Sequence, residues 1–339
     1  MKKCNVAVVG VGAVGEEMLR VLEQRKFPVN ELRVFARSAR QISVDNRKYD
    51  VREISADGFQ GIDIALFAGT EGEKGAAVIY GPQAVKRGAV VIDNGADFRL
   101  KKDVPLVVPE VNPKDVKKHK GIIANPNCST IQLVVAINPI YQKAGIKRMI
   151  VATYQAASGA GRAAVEELYN QSREFLARGA ASEAKALPAR IAFNVFPQIG
   201  NFQEAGYTSE EWKTVHETHK IIHDSKIKIS STTARVPVAV GHSQAVYLET
   251  KSKITPEEVR ELLKKSAGVK VIDEVKDSQT RTYPTAVDAA GGDEVLVGRI
   301  RQDPFAKKGL WLWVVADNLR KGAALNAVQI AELVCGISK

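Results

Sequence analysis

Residues 5–15 read Asn-Val-Ala-Val-Val-Gly-Val-Gly-Ala-Val-Gly and lead into a segment with helical spacing at Met18, Leu19 and Leu22. A short apolar run that ends at glycine is typical of a buried parallel strand. The closely spaced glycines permit a tight turn and let backbone N–H groups approach a pyrophosphate at the start of the next helix. Strand, glycine turn and helix together predict a dinucleotide-binding unit, with a simple strand-to-helix turn as the alternative.

The second apolar run, Glu31 to Ala36, ends in Arg37-Ser38-Ala39-Arg40. A site that prefers NAD would place Asp or Glu here, against the ribose 2′-hydroxyl. Basic and hydroxyl side chains suit a 2′-phosphate, so the segment favours NADP, with an exposed loop arginine as the alternative. Further strand-like runs at 62–68 and 89–93 flank a helical stretch at 76–87. This alternation predicts an α/β fold with a Rossmann-type, doubly wound parallel sheet.

The second half of the chain has a different pattern. Segments of alternating polarity at 149–154, 226–240, 243–250 and 311–316 are typical of antiparallel strands with one solvent-exposed face. They predict an α+β domain with a mostly antiparallel sheet, and we expect a helical stretch between 158 and 186 to cover it. An amphipathic segment at 318–331 is expected to pack back against the first domain.

Composition narrows the possible partners and location. The net charge of +11 suits an enzyme with phosphate-bearing ligands, and the scattered basic residues lack the interleaved aromatics typical of nucleic-acid binding. Three widely spaced cysteines argue against a disulfide framework and indicate a reducing compartment. The start of the chain reads as a first strand rather than a signal peptide, and no uncharged apolar run approaches the roughly 20 residues that cross a bilayer. We therefore expect a cytoplasmic protein.

Cys128 is the candidate nucleophile. It lies in Asn125-Pro126-Asn127-Cys128-Ser129-Thr130, where an extended segment gives way to a helical pattern. Asn127 is a strong N-cap type, and the free N–H groups and positive end of a helix favour a thiolate and an oxyanion. Cys4 opens an apolar strand and Cys335 closes an apolar helix, so both are expected to be small core residues.

A cysteine nucleophile needs a base, and His242 is the candidate among five histidines. It lies in a glycine-adjacent turn between two strand-like segments, where scaffolds often display catalytic groups. A turn histidine that only bonds the backbone is the alternative. His216, His219 and His223 have helical spacing, but the cluster is one residue short of H-E-x-x-H. A solvated helix face explains it more simply than zinc, and we expect no metal.

Four charged residues are open to two interpretations. Arg99 and Arg235 lie beside the ends of predicted elements and could clamp an acidic substrate, or could be surface charges. Glu217 and Lys220 are three residues apart on one helix face, which is also the spacing of an ordinary ion pair.

A series of motifs, taken in order, resembles the aspartate-semialdehyde dehydrogenases of the bacterial and archaeal type over nearly the whole chain. The motifs are Val8-Val9-Gly10 with the glycine turn, Val91-Ile92-Asp93-Asn94, Val107-Val108-Pro109-Glu110-Val111-Asn112, Asn125-Pro126-Asn127-Cys128-Ser129-Thr130, Thr153-Tyr154-Gln155-Ala156-Ala157-Ser158-Gly159-Ala160-Gly161, Arg235-Val236-Pro237-Val238, Gly241-His242-Ser243, and Val297-Gly298-Arg299-Ile300-Arg301. The chain departs from the family at the glycine loop, where one residue rather than two separates Gly10 from Gly12. The segment 66–71 also lacks the family's serine-rich version.

The resemblance implies a role for each matching residue. Cys128 would be the acyl-thioester nucleophile, His242 the acid/base, and Gln155 a residue that positions the substrate. Glu217 would hold the substrate amino group and Arg235 its carboxylate, while Arg99 and Lys220 would hold phosphate. Contacts to NADP would fall on Gly10, Gly12, Ala13, Val14, Gly15, Arg37, Ser38, Ser158, Gly159 and Asn318.

The resemblance also implies the reaction, the domains and the assembly. We expect NADPH-dependent reductive dephosphorylation of L-4-aspartyl phosphate to L-aspartate 4-semialdehyde, in the biosynthesis of lysine, threonine, methionine and isoleucine. An NADP-binding Rossmann domain would span 1–128 and 319–339, and a catalytic and dimerisation domain 129–318. We expect a homodimer or homotetramer, with no nucleic acid or membrane partner.

Four other functions remain open from the residues alone. N-acetyl-glutamyl-phosphate reductase and glyceraldehyde-3-phosphate dehydrogenase share a cysteine, a histidine and a Rossmann domain. A catalytically silent NADP-binding sensor or a nucleic-acid-binding protein would use the basic charge instead.

Overall fold

The computed structural model describes residues 3–68, 72–274 and 282–337. The strands are β1 (Cys4–Val9), β2 (Val29–Ala36), β3 (Arg40–Val44), β4 (Arg47–Glu53), β5 (Ile64–Phe67), β6 (Val90–Asp93), β7 (Ile122–Ala124), β8 (Ile146–Gln155), β9 (Lys228–Arg235), β10 (His242–Thr250), β11 (Val269–Val271), β12 (Val295–Gln302) and β13 (Gly309–Ala316). The helices are α1 (Ala13–Gln24), α2 (Ala76–Lys86), α3 (Cys128–Ala144), α4 (Arg162–Arg178), α5 (Ser209–Ile222), α6 (Pro256–Lys264), α7 (Ala286–Ala289) and α8 (Leu325–Val334). The chain divides into two compact units, Met1–Asn127 with Ala323–Lys339 and Cys128–Gly322.

The first unit is built on a sheet of seven strands in the order β3-β4-β2-β1-β5-β6-β7. Neighbouring strands pair in parallel except β3 and β4, which form an antiparallel hairpin at the edge. Val6 and Val8 of the central strand are fully buried, as their position between β2 and β5 requires. The prediction of a Rossmann-type, doubly wound parallel sheet is confirmed.

The sequence did not predict the β3–β4 hairpin, which starts at Arg40 directly after the presumed cofactor loop. Its strands are short and rich in charged side chains, so they lack the apolar run of a buried strand. Asp45 and Asn46 connect them with φ values of 46° and 66°. Two consecutive positive φ angles at Asp or Asn are typical of the tight hairpin turn. The Asp45-Asn46 pair was therefore the feature of the sequence from which this hairpin could have been predicted.

Helix α8 packs in the core of the first unit, where Leu325 and Val328 are buried. Arg25 at the end of α1 donates two hydrogen bonds to the carboxylate of Glu332 at 2.8 and 2.7 Å, a bidentate ion pair that fixes the last turn of α8. The predicted single helix over 318–331 is in fact a turn of π-helix at Arg320–Ala324 followed by α8.

The second unit is built on a sheet of six strands in the order β11-β12-β13-β10-β8-β9. Strand β10 pairs antiparallel with both neighbours, and β12 pairs antiparallel with β13. The prediction of a mostly antiparallel sheet is confirmed. The strand predicted at 226–240 is present, but the prediction that it pairs antiparallel is wrong. It is β9, which runs parallel to β8, because a long connection containing α4 and α5 returns the chain to the same end of the sheet.

Two predicted elements of this unit are longer than the observed ones. The helical stretch expected between 158 and 186 is α4, which stops at Gly179 in the left-handed conformation, with φ 71°. This is the usual way a helix ends at glycine. Strand β9 ends at Arg235, two residues before Pro237, which has no N–H to continue the ladder. Within the described residues, no helix is both long and apolar enough to cross a membrane.

The glycine turn of the first unit contains one position that only glycine fits and one that tolerates a side chain. A Cβ on Gly15 would lie 1.8 Å from the carbonyl oxygen of Gly10, whereas a Cβ on Gly12 would meet nothing within 4 Å. We expect Gly15→Ala to lower the free energy of unfolding by about 1–3 kcal/mol, because α1 must move away from β1. Gly12→Ala, the matched control, should cost less than about 1 kcal/mol. Urea denaturation measures both, and equal losses would contradict the packing argument.

Candidate active site

Three strand ends of the second unit meet at one edge of its sheet. Because β8 and β9 are parallel, Gln155 and Arg235, their last residues, are paired neighbours. Strand β10 runs the opposite way and begins at that edge with His242, while Ser243 pairs with Tyr154. The pairing register alone therefore brings together three of the residues that the sequence proposed for catalysis and substrate binding.

His242 is fully buried, and its ring has a defined tautomer. The backbone N–H of Ala156 donates to Nδ1 at 3.0 Å, so Nδ1 is unprotonated and the neutral ring carries its proton on Nε2. No group in the described part of the chain hydrogen-bonds Nε2. Burial, and secondarily the charge of Arg235, hold the pKa of His242 well below its usual value of 6.5. The ring is therefore a neutral imidazole with an available N–H donor.

Arg235 lies beside His242 and is also buried. Its Nη1 donates to the carbonyl of Ala156 at 2.6 Å, and its Nε has no hydrogen-bond partner among the described residues. Burial lowers the pKa of the guanidinium, while the negative charges of Glu210 and of the Cys128 thiolate act in the opposite direction. A buried cation with an unused N–H is suited to hold a carboxylate.

Gly159 leaves open the space that both side chains face. A Cβ at this position would lie 2.9 Å from Nη1 of Arg235 and 3.0 Å from Nε2 of His242. The absence of a side chain thus gives a ligand access to the N–H groups of both residues.

Cys128 is the first residue of α3 and is partly exposed. The free N–H groups at a helix start favour a thiolate and a nearby oxyanion. Gly322 packs directly against the cysteine, since a Cβ there would lie 2.9 Å from the Cβ of Cys128. This close contact with Gly322 restricts the position of the Cys128 backbone.

Glu210 is a member of this site that the sequence analysis missed. The side-chain amide of Gln155 donates to Oε1 of Glu210 at 3.2 Å, and Nζ of Lys213 lies 3.6 Å from the other carboxylate oxygen. Glu210 is in the first turn of α5, whose start is fixed by reciprocal hydrogen bonds between Thr208 and Glu211. Thr-x-x-Glu is a capping box, which was the sequence signal for this helix start.

Two glutamate–lysine pairs with the same spacing therefore lie on α5. Glu217 and Lys220, the pair chosen from the sequence, come seven residues after Glu210 and Lys213. That is about two helical turns, or about 10.5 Å along the axis. Glu217 is also buried, but the carboxylate that bonds Gln155 belongs to Glu210.

Ser158, Gly159 and Asn318 lie in one part of the second unit. The hydroxyl of Ser158 and the N–H of Gly241 both donate to Oδ1 of Asn318, each at 3.0 Å. Since the oxygen already accepts two bonds, the NH₂ end of Asn318 is the part that can donate to a ligand. The remaining cofactor candidates belong to the first unit.

In the first unit, a cleft of about 830 Å³ opens beside the glycine turn. Gly10, Gly12, Arg37 and Ser38 line it, and Ala13, Val14 and Gly15 form the adjoining first turn of α1. Arg40, Lys74 and Glu53 line the same cleft, so cations outnumber anions there. Open backbone at Gly12 and a cationic wall fit a phosphate-bearing dinucleotide, and the residues present therefore suit this group.

Arg99 belongs to the first unit and is buried. It donates to the carbonyl of Asn94 at 2.7 Å and to the carbonyl of Asn125 at 3.0 Å. Asn125 is three residues before Cys128, so Arg99 braces the segment that leads to the nucleophile.

The histidines of α5 make local contacts. His216 stacks on Trp212 with ring centroids 5.1 Å apart, and a ring nitrogen of His219 lies 2.8 Å from the carbonyl of Ile227. No group of three or more potential ligands for a metal ion occurs in the parts of the chain that the structure describes.

Both halves of the chain match models of one protein family. Residues 5–119 match "Semialdehyde dehydrogenase, NAD binding domain", and residues 137–321 match "Semialdehyde dehydrogenase, dimerisation domain". The chain is 52% identical over 338 residues to the aspartate-semialdehyde dehydrogenase of Aquifex aeolicus, covering 97% of each. It is 46% identical over 340 residues to the Bacillus subtilis enzyme, covering 97% of this chain and 96% of that one. A crystal structure of aspartate-semialdehyde dehydrogenase II from Vibrio cholerae, complexed with ASA, has a TM-score of 0.93 at 45% identity and covers 99% of both chains.

The first unit has a parallel sheet of the dinucleotide-binding type, and the second has a thiol at a helix start and a buried neutral imidazole. Together these features define an oxidoreductase that uses a nicotinamide cofactor on an acyl or aldehyde group. The similarity over nearly the whole chain makes the assignment more specific. The chain belongs to the aspartate-semialdehyde dehydrogenase family, which confirms the resemblance seen in the motifs.

The buried imidazole has a consequence for stability at low pH. The unfolded chain binds a proton at His242 near the ordinary pKa of about 6.5, whereas the folded chain binds it only at lower pH. The contribution of His242 to stability is therefore fully present above pH ~6.5 and is lost as the pH falls, by up to about 1.4 kcal/mol per pH unit. Denaturation of the wild type and of His242→Asn between pH 7.5 and 5 measures it. His216→Asn, at an exposed position, is the control. If the free energy of unfolding changed equally with pH in all three proteins, His242 would not be buried in its neutral form.

Proposed function

We propose that the chain catalyses the NADPH-dependent reductive dephosphorylation of L-4-aspartyl phosphate to L-aspartate 4-semialdehyde through a thioester on Cys128. The observation that carries this proposal is the uncommitted Nε2–H of the buried His242, next to Arg235 and to the space above Gly159. Cys128 is close enough to Arg235 for a negative charge on its sulfur to act on the guanidinium.

In the first half of the reaction, the thiolate of Cys128 forms a bond to the acyl carbon and the bond to the phosphate oxygen breaks. Backbone N–H groups at the start of α3 stabilise the oxyanion that forms on the acyl oxygen. Phosphate leaves toward Arg99 and Lys220 and takes a proton from solvent. The product is a thioester that retains the substrate's amino and carboxylate groups.

The second half needs a hydride at the thioester carbon, which a nicotinamide held by Ser158, Gly159 and Asn318 would supply. His242 donates the hydrogen bond of Nε2–H to the oxygen as it becomes negatively charged and so stabilises the oxyanion. When the carbon–sulfur bond breaks, the oxyanion becomes the carbonyl oxygen of the aldehyde, and Cys128 is again a thiolate. A neutral imidazole suits this role because it donates the hydrogen bond without giving up its proton.

Arg235 is proposed to hold the substrate carboxylate and Gln155 to position the acyl group. For the substrate ammonium, the family resemblance suggests Glu217, whereas the contacts of Glu210 with Gln155 and its charge interaction with Arg235 support Glu210 instead. Lys213, whose Nζ lies 3.6 Å from a carboxylate oxygen of Glu210, then corresponds to Lys220 in the pair that the resemblance suggests.

NADP is the proposed cofactor. The phosphates would lie at Gly10 and Gly12 to Gly15, and a 2′-phosphate at Arg37 and Ser38, while Ser158, Gly159 and Asn318 would contact the nicotinamide end. The cationic wall of the cleft in the first unit supports the 2′-phosphate. Measuring KM for NADPH and NADH in the same assay tests this preference.

The proposed domains are an NADP-binding domain at 1–128 with 319–339 and a catalytic and dimerisation domain at 129–318. A homodimer or homotetramer formed through the second domain is supported by the family model for residues 137–321. The proposed biological role is the synthesis of lysine, threonine, methionine and isoleucine, in the cytoplasm.

Replacing the nucleophile tests the thioester route. Cys128→Ala should reduce phosphate-dependent oxidation of the semialdehyde by at least about 10⁴-fold, because no other group in the scheme forms the acyl intermediate. NADPH binding, measured by fluorescence titration, should change by less than about threefold. Turnover close to that of the wild type would rule out Cys128 as the nucleophile.

The two glutamates of α5 can be separated by matched substitutions. Glu210→Gln should raise KM for the semialdehyde by about 10–100-fold, since a buried charge partner of the substrate ammonium is lost. Glu217→Gln, two turns away on the same helix, should have a much smaller effect. The opposite result would favour Glu217 as the ammonium ligand, and no effect of either variant would favour an enzyme for a substrate without a free amino group.

A further inference from the structure

The sulfur atoms of Cys4 and Cys335 lie 2.9 Å apart, although 331 positions separate them in the sequence. Cys4 is the first residue of β1, and Cys335 is the residue directly after α8. Both belong to the first unit, and neither forms a disulfide. The sequence analysis expected both to be small core residues and gave no reason for them to meet.

The backbone on both sides of this thiol pair is held in place. The N–H of Cys4 donates to the carbonyl of Pro28 at 2.8 Å, and the N–H of Cys335 donates to the carbonyl of Ala331 at 2.9 Å. The bidentate ion pair between Arg25 and Glu332 fixes the turn that precedes Cys335. The two sulfurs are therefore brought together by contacts that do not depend on a bond between them.

We propose that Cys4 and Cys335 are a site of covalent modification, at which an oxidant forms an intrachain disulfide that joins the first strand to the last helix. The sulfur–sulfur distance must shorten from 2.9 Å to about 2.05 Å. Cys4 and Cys335 belong to the first unit and Cys128 to the second, so the bond does not involve the proposed nucleophile.

The oxidant is a low-molecular-weight disulfide such as oxidised glutathione. Cys335 is the more exposed of the two thiols, and its thiolate attacks one sulfur of the oxidant, which releases one glutathione thiol. Cys4 then attacks the mixed disulfide at the sulfur of Cys335, and a second glutathione thiol leaves. Two electrons pass from the cysteine pair to the oxidant, which ends as two thiols.

The bond would act mainly on the unfolded chain. A link between positions 4 and 335 closes almost the whole sequence into one loop, and the stabilisation from restricting the unfolded state grows with loop length. We expect the melting temperature to rise by roughly 5–10 °C, and the stabilised elements include the strand that leads into the glycine turn.

The test uses the full chain with Cys128→Ser, which leaves Cys4 and Cys335 as its only thiols. After equilibration with oxidised glutathione, thiol titration should fall from two groups per chain to none. Peptide mapping without reductant should find the Cys4 and Cys335 peptides linked, and the melting temperature should rise and return with dithiothreitol.

Cys4→Ser and Cys335→Ser in the same background are the matched controls. Each retains one thiol, which can accept glutathione but cannot form the internal bond, so neither should gain thermal stability on oxidation. Two thiols that persist at oxidising equilibrium, two stable glutathione adducts, or a link between different chains would overturn the proposal.

Discussion

Both polar groups of the Ala156 backbone are used, and the rest of the site depends on them. The N–H donates to Nδ1 of His242 and the carbonyl accepts from Arg235, in a position with no solvent exposure. In a low-dielectric interior such bonds are strong, and breaking either would leave an unpaired buried group. The backbone of this one residue thereby fixes the tautomer of the imidazole and the direction of the guanidinium. Nε2 of His242 and Nη1 of Arg235 then lie beside Gly159, and the Nε of Arg235 has no hydrogen-bond partner among the described residues.

The strand arrangement explains why Ala156 lies where it does. Ala156 follows the last residue of β8, and the parallel pairing of β8 with β9 brings Arg235 to the same edge of the sheet. The antiparallel β10 starts there with His242. The capping box of α5 sets Glu210 against Gln155 from a neighbouring helix. Strand direction and one helix start thus assemble a buried anion, a buried cation and a neutral imidazole.

The sequence predicted those parts of the fold that follow from local pattern. The glycine turn and apolar β1 indicated the parallel sheet, and Cys128 lies at the start of α3 as expected. Strand pairing was harder, because alternating polarity in β9 does not reveal that α4 and α5 return the chain to a parallel position beside β8. The sequence analysis named only Glu217 and Lys220 on α5, because spacing does not show that the turn with Glu210 and Lys213 meets Gln155. The meeting of Cys4 with Cys335 depends on where the last helix packs, which spacing along the chain does not contain.

The central claim is that the reaction passes through a thioester on Cys128, next to a neutral His242. In the direction of semialdehyde oxidation, this thioester forms before phosphate reacts. The most direct measurement is to mix the enzyme with aspartate semialdehyde and NADP⁺ in the absence of phosphate, then quench and map the peptides by mass spectrometry. The account predicts a burst of about one NADPH per chain and an aspartyl adduct on the Cys128 peptide. A burst without an adduct, or an adduct on a different residue, would contradict it.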